Sequence, residues 1–137
     1  MDSDLFSQGT YAGYETRLSE HPDEELTLVG PETPCGEYLR RFWHPVFLDK
    51  ELGDLPVALK VLGEELVLFR DLSGKLGLVH KRCPHRLSSL EYGKCEEHGI
   101  RCCYHGWHFD TDGTLLDVPG QPEHLSERLK SRIKLGA

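Results

Sequence analysis

The sequence predicts an all-β domain of antiparallel strands with one short N-terminal helix, and three observations carry that expectation. First, the runs "PVALKVL", "ELVLFR" and "LGLVH" from Pro56 onward are each about strand length and rich in Val and Leu. Second, "WHFDTDGTLLDV" places Asp112-Gly113 between two short runs, a hairpin signal because glycine tolerates positive φ in a tight turn. Third, two pairs of Cys and His residues fall in Gly- or Pro-containing loops between the expected strands.

In chain order, residues 1–25 are polar and acidic, with "SEHPDEE" at 19–25, and read as a flexible or lightly docked arm ahead of a domain over 26–137. A helix of roughly two turns is expected at "TPCGEYLRRFWHP": Thr33 suits the N-cap, Pro34 the first turn, Leu39 and Phe42 fall at helical spacing, and Pro45 stops it. The three Val/Leu runs then form a meander, separated by "GE" and "DLSGK". The tail "ERLKSRIKLGA" alternates Arg128, Lys130, Arg132 and Lys134 with Leu129, Ile133 and Leu135, which fits a strand beginning or a solvated helix end.

Composition narrows the function classes. The 137 residues are 38% hydrophobic and contain no apolar run of membrane-spanning length. Asp2 and Asp4 stand where a secretory signal would carry basic residues, so export is not expected. Five cysteines, an odd number at irregular spacing, point to thiols or metal ligands in a reducing compartment, and the expected location is the cytoplasm. A net charge of −7, spread along the chain, removes the basic footprint that nucleic-acid binding needs.

The chemistry-bearing constellation is Cys83-x-His85, sixteen intervening residues, then Cys102-x-x-His105. Two thiolates and two imidazoles make a four-ligand set. Zinc accepts Cys2His2 tetrahedrally, but its common spacings keep cysteines with cysteines and histidines with histidines. One of each per loop suits a two-iron cluster in which two Cys hold one iron and two His the other. Cys103 leaves the second loop readable in two registers, because Cys103-Tyr-His105 repeats the spacing of Cys83-Pro-His85. Adjacent residues in extended backbone point to opposite faces, so only one of Cys102 and Cys103 is expected to face a metal. Cys35 and Cys95 are read as small structural thiols, Trp43 and Trp107 as packing residues, and Arg86 as a loop anchor or a partner contact. His21, His44, His98, His108 and His124 lack a thiol at suitable spacing and are assigned no metal.

The segments "RCPHR" at 82–86, "LEYG" at 90–93 and "IRCCYHGWHFDTDG" at 100–113 resemble the Rieske iron-sulfur domain of ring-hydroxylating non-haem iron oxygenases. "VGPETPCGEYLRRFWHPV" at 29–46 and "LGEELVLFRD" at 62–71 are most similar to oxygenase components of the phthalate dioxygenase and vanillate demethylase type. The resemblance covers about residues 26–135 and implies a Rieske fold holding a [2Fe-2S] cluster on Cys83, His85, Cys102 and His105. It assigns Cys102 rather than Cys103 as the ligand, leaving Cys103 a packing thiol. Leu87 departs from the pattern, since family members usually carry Gly there.

Respiratory members pair an extra Cys in each loop as a disulfide, and the matching positions here are Ser88 and Tyr104, so that bond is not expected. Trp107 and Phe109 stand where those members place a Ser and a Tyr that donate to cluster sulfurs, which implies a potential toward roughly −150 mV. The resemblance further implies an NAD(P)H-dependent flavin or ferredoxin-type reductase as electron donor. A mononuclear Fe(II) in a catalytic domain, often in a neighbouring subunit of a trimer, would receive the electron for aromatic hydroxylation or O-demethylation. Its two-His, one-carboxylate site finds no match here; His80-x4-His85 is the nearest spacing and His85 is already committed. The resemblance also implies that further strands follow a segment like Ile133-Lys134, so the chain is expected to stop about one hairpin short of a complete Rieske domain. The competing readings are a stand-alone Rieske ferredoxin and a zinc-stabilised interaction module.

Overall fold

The computed structural model describes residues 22–137; His21 and most of the expected arm lie outside the described residues. The first helix, α1 (Glu24–Thr27), is a single turn capped by Asp23, whose carboxylate accepts from the Glu25 N–H at 3.0 Å. The second, α2 (Pro34–Leu39), starts where Thr33 and Pro34 place it, with the Thr33 hydroxyl accepting from the Gly36 N–H at 3.2 Å. It is six residues long. Phe42 lies beyond it and is exposed. Trp43 is fully exposed as well and does not pack as expected: α2 ends at Leu39, and among the described residues no element covers the irregular segment that follows.

Three strands build the first sheet in the order β1 (Val57–Val61), β2 (Glu64–Arg70) and β3 (Leu76–His80), all antiparallel. The β1–β2 link is a two-residue turn in which Leu62 and Gly63 both have positive φ, matching the right-handed twist of the flanking strands. Phe69 of β2 is paired with Gly77 of β3, and its ring fills the place a Gly77 side chain would take. The second sheet uses four very short strands, β4 (Lys94–Cys95), β5 (Ile100–Arg101), β6 (His108–Phe109) and β7 (Leu115–Asp117), again antiparallel in sequence order. Asp110–Gly113 forms the expected β6–β7 turn, with the Gly113 N–H donating to the Asp110 carbonyl.

The tail resolves into both of its expected forms. A third helix, α3 (Glu123–Lys130), is followed by a bridge between Lys134 and Thr114. Leu135 is buried, and its N–H donates to the Gly113 carbonyl at 2.8 Å. One core draws on both sheets: Val67, Phe69 and Val79 from the first meet Ile100, Phe109 and Leu115 from the second, with Leu90 between. Each large apolar side chain buried there contributes roughly 1.5–3 kcal/mol. Cys83, Cys102 and Trp107 belong to the same core, so the loops that carry the Cys/His pattern are anchored in close-packed interior. Among the described residues no helix is long and apolar enough to cross a membrane.

Candidate metal centre

Both loops spring directly from strand ends. β3 runs through His80 into Cys83, and β5 ends at Arg101, one residue before Cys102. Their backbones close in the same way. In the first loop the Cys83 N–H donates to the Ser88 carbonyl at 2.9 Å, and the Leu87 N–H to the Cys83 carbonyl at 2.8 Å. In the second the Cys102 N–H donates to the Trp107 carbonyl at 2.8 Å, and the Gly106 N–H to the Cys102 carbonyl at 3.1 Å. Both loops thus bond residue i to i+5 and i+4 to i, and both place residue i+4 at positive φ: Leu87 at 57° and Gly106 at 74°.

This equivalence aligns the two loops on their backbones. Cys102, not Cys103, occupies the place of Cys83. Cys102 is 4% exposed and lies in the core, whereas Cys103 is exposed. The packing role expected of Cys103 is incorrect, because the residue after an inward-facing Cys102 points outward; its sulfur lies 3.9 Å from the Ser88 hydroxyl across the gap between the loops. The left-handed conformation at position 87 also explains why glycine suits it, a steric burden that Leu87 carries here.

The four residues singled out by spacing come together in two pairs. The Cys83 and Cys102 thiols are close enough to interact, and both are buried. Burial pushes the Cys83 thiol up to about 11; the His85 backbone N–H pulls against that rise and Cys102 adds to it. The Cys83 thiol therefore stays protonated at neutral pH until a metal displaces the proton. The imidazoles of His85 and His105 lie side by side, ring centroids 4.6 Å apart. Burial first, then His105 and Arg86, holds His85 below the ordinary histidine range, so the ring is neutral and has a lone pair to give.

Trp107 does more than pack. Its indole, from the second loop, stacks on His85 of the first at 4.7 Å and 3° between planes, which fixes the imidazole and binds the loops together. Tyr104 covers His105 at 3.8 Å. Among the described residues no three Cys, His, Asp or Glu side chains converge on one point fit for a single metal ion. Two buried thiols beside two partly exposed imidazoles instead match a two-iron group, which asks for only two protein donors at each iron. All five cysteines are free, so no disulfide competes for the thiols.

Two contributions escaped the sequence reading. Asp71, 4% exposed, accepts from the Ser73 and Lys75 N–H groups and the Ser73 hydroxyl on Oδ1 and from the Gly99 N–H on Oδ2, joining the β2–β3 turn to the β4–β5 turn. The Asp-x-Ser-Gly pattern of an Asx turn was its available signal. Arg101 holds a network around the second loop, and no local pattern marks it.

The Rieske [2Fe-2S] domain model matches residues 42–131. The oxygenase subunit of tert-butanol monooxygenase / tert-amyl alcohol desaturase from Aquincola tertiaricarbonis is 49% identical over 134 residues, 95% of this chain and 28% of that protein. Phenoxybenzoate dioxygenase subunit alpha from Ectopseudomonas oleovorans is 56% identical over 103 residues, 75% of this chain and 25% of that protein. Among solved structures, the reduced complex between oxygenase and ferredoxin in carbazole 1,9a-dioxygenase aligns with a TM-score of 0.57 at 37% identity, covering 68% of this chain and 24% of that one. The chain spans about a quarter of the length of the curated relatives it matches. With buried thiols, paired imidazoles and matched loops in place, the chain belongs to the Rieske family, whose domain binds a [2Fe-2S] cluster.

Proposed function

We propose that Cys83 and Cys102 hold one iron of the cluster and His85 and His105 the other, and that residues 26–137 act as the electron-transfer domain of a larger oxygenase. The observation that carries this is the backbone equivalence of the two loops, which puts one Cys of each at the core and one His of each at the rim. A bound [2Fe-2S] cluster supplies reversible one-electron exchange. The chain's own residues set the terms. Cys83 and Cys102 must each lose a proton to bind, and burial keeps water from the sulfurs. His85 and His105 stand at the exposed edge, where an incoming partner can approach closely.

In the whole protein the electron would come from an NAD(P)H-dependent flavin or ferredoxin-type reductase. It would pass to a mononuclear iron outside this chain, for aromatic hydroxylation or O-demethylation. Anaerobic reconstitution tests the ligand assignment. The account expects two irons and two acid-labile sulfides per chain with a red-brown colour. A colourless chain carrying one zinc and no sulfide contradicts it.

A further inference from the structure

We infer that Arg101 is a positioning residue for the second cluster loop, holding the Gly106–Trp107 peptide in one orientation and so tuning the redox potential. The inference rests on the ligand assignment above. Arg101 is one quarter exposed, with a side-chain exposure of 26%, and every one of its five N–H donors has an acceptor. Nε and Nη2 form a fork on the Glu96 carboxylate at 2.9 and 3.0 Å. Nη1 donates to Asp117 Oδ2 at 3.0 Å and to the Gly106 carbonyl at 2.8 Å, and Nη2 lies 3.3 Å from His108 Nδ1. His108 Nε2 meets the His98 carbonyl, which can only accept, so Nε2 carries the hydrogen and Nδ1 is left to accept from Arg101.

The Gly106 contact is the one that reaches the loop. Gly106 has positive φ and no side chain, so the peptide that follows it can rotate at little cost. Leu87, its counterpart in the first loop, has a side chain that restricts such rotation, and the guanidinium clamp exists only where glycine leaves the peptide free. The peptide is planar and trans, so fixing its carbonyl toward Arg101 turns the Trp107 N–H the opposite way. Among the described residues that N–H finds no backbone acceptor. Amide orientation near a cluster governs hydrogen bonding to its sulfurs, and through that its potential. The same clamp steadies Trp107, on which His85 stacks.

The test compares loaded full-length chains by potentiometric titration, EPR of the reduced form and iron content. Arg101→Ala removes charge and clamp together. Arg101→Lys keeps the charge, but a single ammonium cannot serve Glu96, Asp117 and Gly106 with fork geometry. Arg40→Ala is the control: Arg40 is equally enclosed, at 24% side-chain exposure, and spans Glu64, Leu62, Val29 and Gly30, none of which belongs to either loop. Both Arg101 variants are expected to shift the potential and the EPR line shape in the chains that carry iron, while Arg40→Ala lowers stability and shifts neither. A wild-type potential in Arg101→Lys would show that charge alone acts and would overturn the positioning role, as would an unshifted Arg101→Ala. If the alanine variant loads no iron, Asp117→Ala, which removes one anchor of the guanidinium, takes its place, and an unshifted potential there and in Arg101→Lys overturns the inference. Wild-type chain that takes up zinc and no sulfide refutes the ligand assignment instead.

Discussion

Replacing Asp71 by alanine should destabilise the fold by about 3 kcal/mol. The carboxylate holds four donors, and their fates differ. The Ser73 and Lys75 amides sit in an exposed turn and regain water when the acceptor goes, a loss of roughly 0.5 kcal/mol each. The Gly99 N–H is buried, with nothing else to bond, and leaving it unpaired costs about 1–3 kcal/mol. Because Asp71 ties the β2–β3 turn to the turn that feeds β5 and Cys102, the variant should also release iron at lower urea than wild type. Asp71→Asn should be milder, near 1–2 kcal/mol, since its carbonyl can still serve Ser73 and Lys75 while its amide faces the Gly99 donor. Urea unfolding followed by far-UV circular dichroism and by visible absorbance measures both effects. The sign with pH follows from the same contacts. Burial pushes the Asp71 carboxyl up, but the Ser73 hydroxyl and the Lys75, Gly99 and Ser73 N–H groups outweigh it and hold the carboxyl below the usual range. A depressed carboxyl contributes stability above its unfolded pKa of about 4, lost as pH falls through the folded value, so Asp71→Ala should flatten the acid limb of stability against pH. An alanine variant within 0.5 kcal/mol of wild type at neutral pH, with an unchanged acid limb, refutes this reasoning.

Cys103→Ser should keep the iron and the visible spectrum of the loaded chain while Cys102→Ser loses both; iron analysis of the two proteins decides, and the reverse result would put the second loop out by one residue. Leu87→Gly should raise stability by roughly 0.5–1 kcal/mol, since the exposed leucine buries little and glycine removes the left-handed strain at φ 57°; thermal melting reads the gain. Gly77→Ala should destabilise by about 1–3 kcal/mol, because its Cβ would overlap the buried Phe69 ring across the β2–β3 pair, and a neutral result in urea would mean the ring moves freely.

The first sheet was legible because its strands are five to seven residues long and rich in Val and Leu. Strands of two or three residues, as in β4 to β7, are too short to show any alternation, and only the Asp112-Gly113 turn betrayed that sheet. Helix α3 was ambiguous because Pro122 stands at its N-cap without a side-chain acceptor to mark the start. Trp43 shows the opposite limit: a large aromatic implies burial only when an element lies over it, and sequence does not reveal that none of the described ones does. The Cys/His pairs were readable because metal chemistry demands those residue types at close spacing. Asp71 and Arg101 were not, since their partners lie up to 28 residues away and depend on how the loops pack.

The central claim is that two imidazoles, one from each loop, bind the same iron. Electron-nuclear double resonance on reduced chain grown with nitrogen-15 histidine measures this directly. The account predicts two strongly coupled histidine nitrogens in wild type and one in a variant of His85 or His105 that still retains iron. A single coupled nitrogen in wild type, or none, contradicts it.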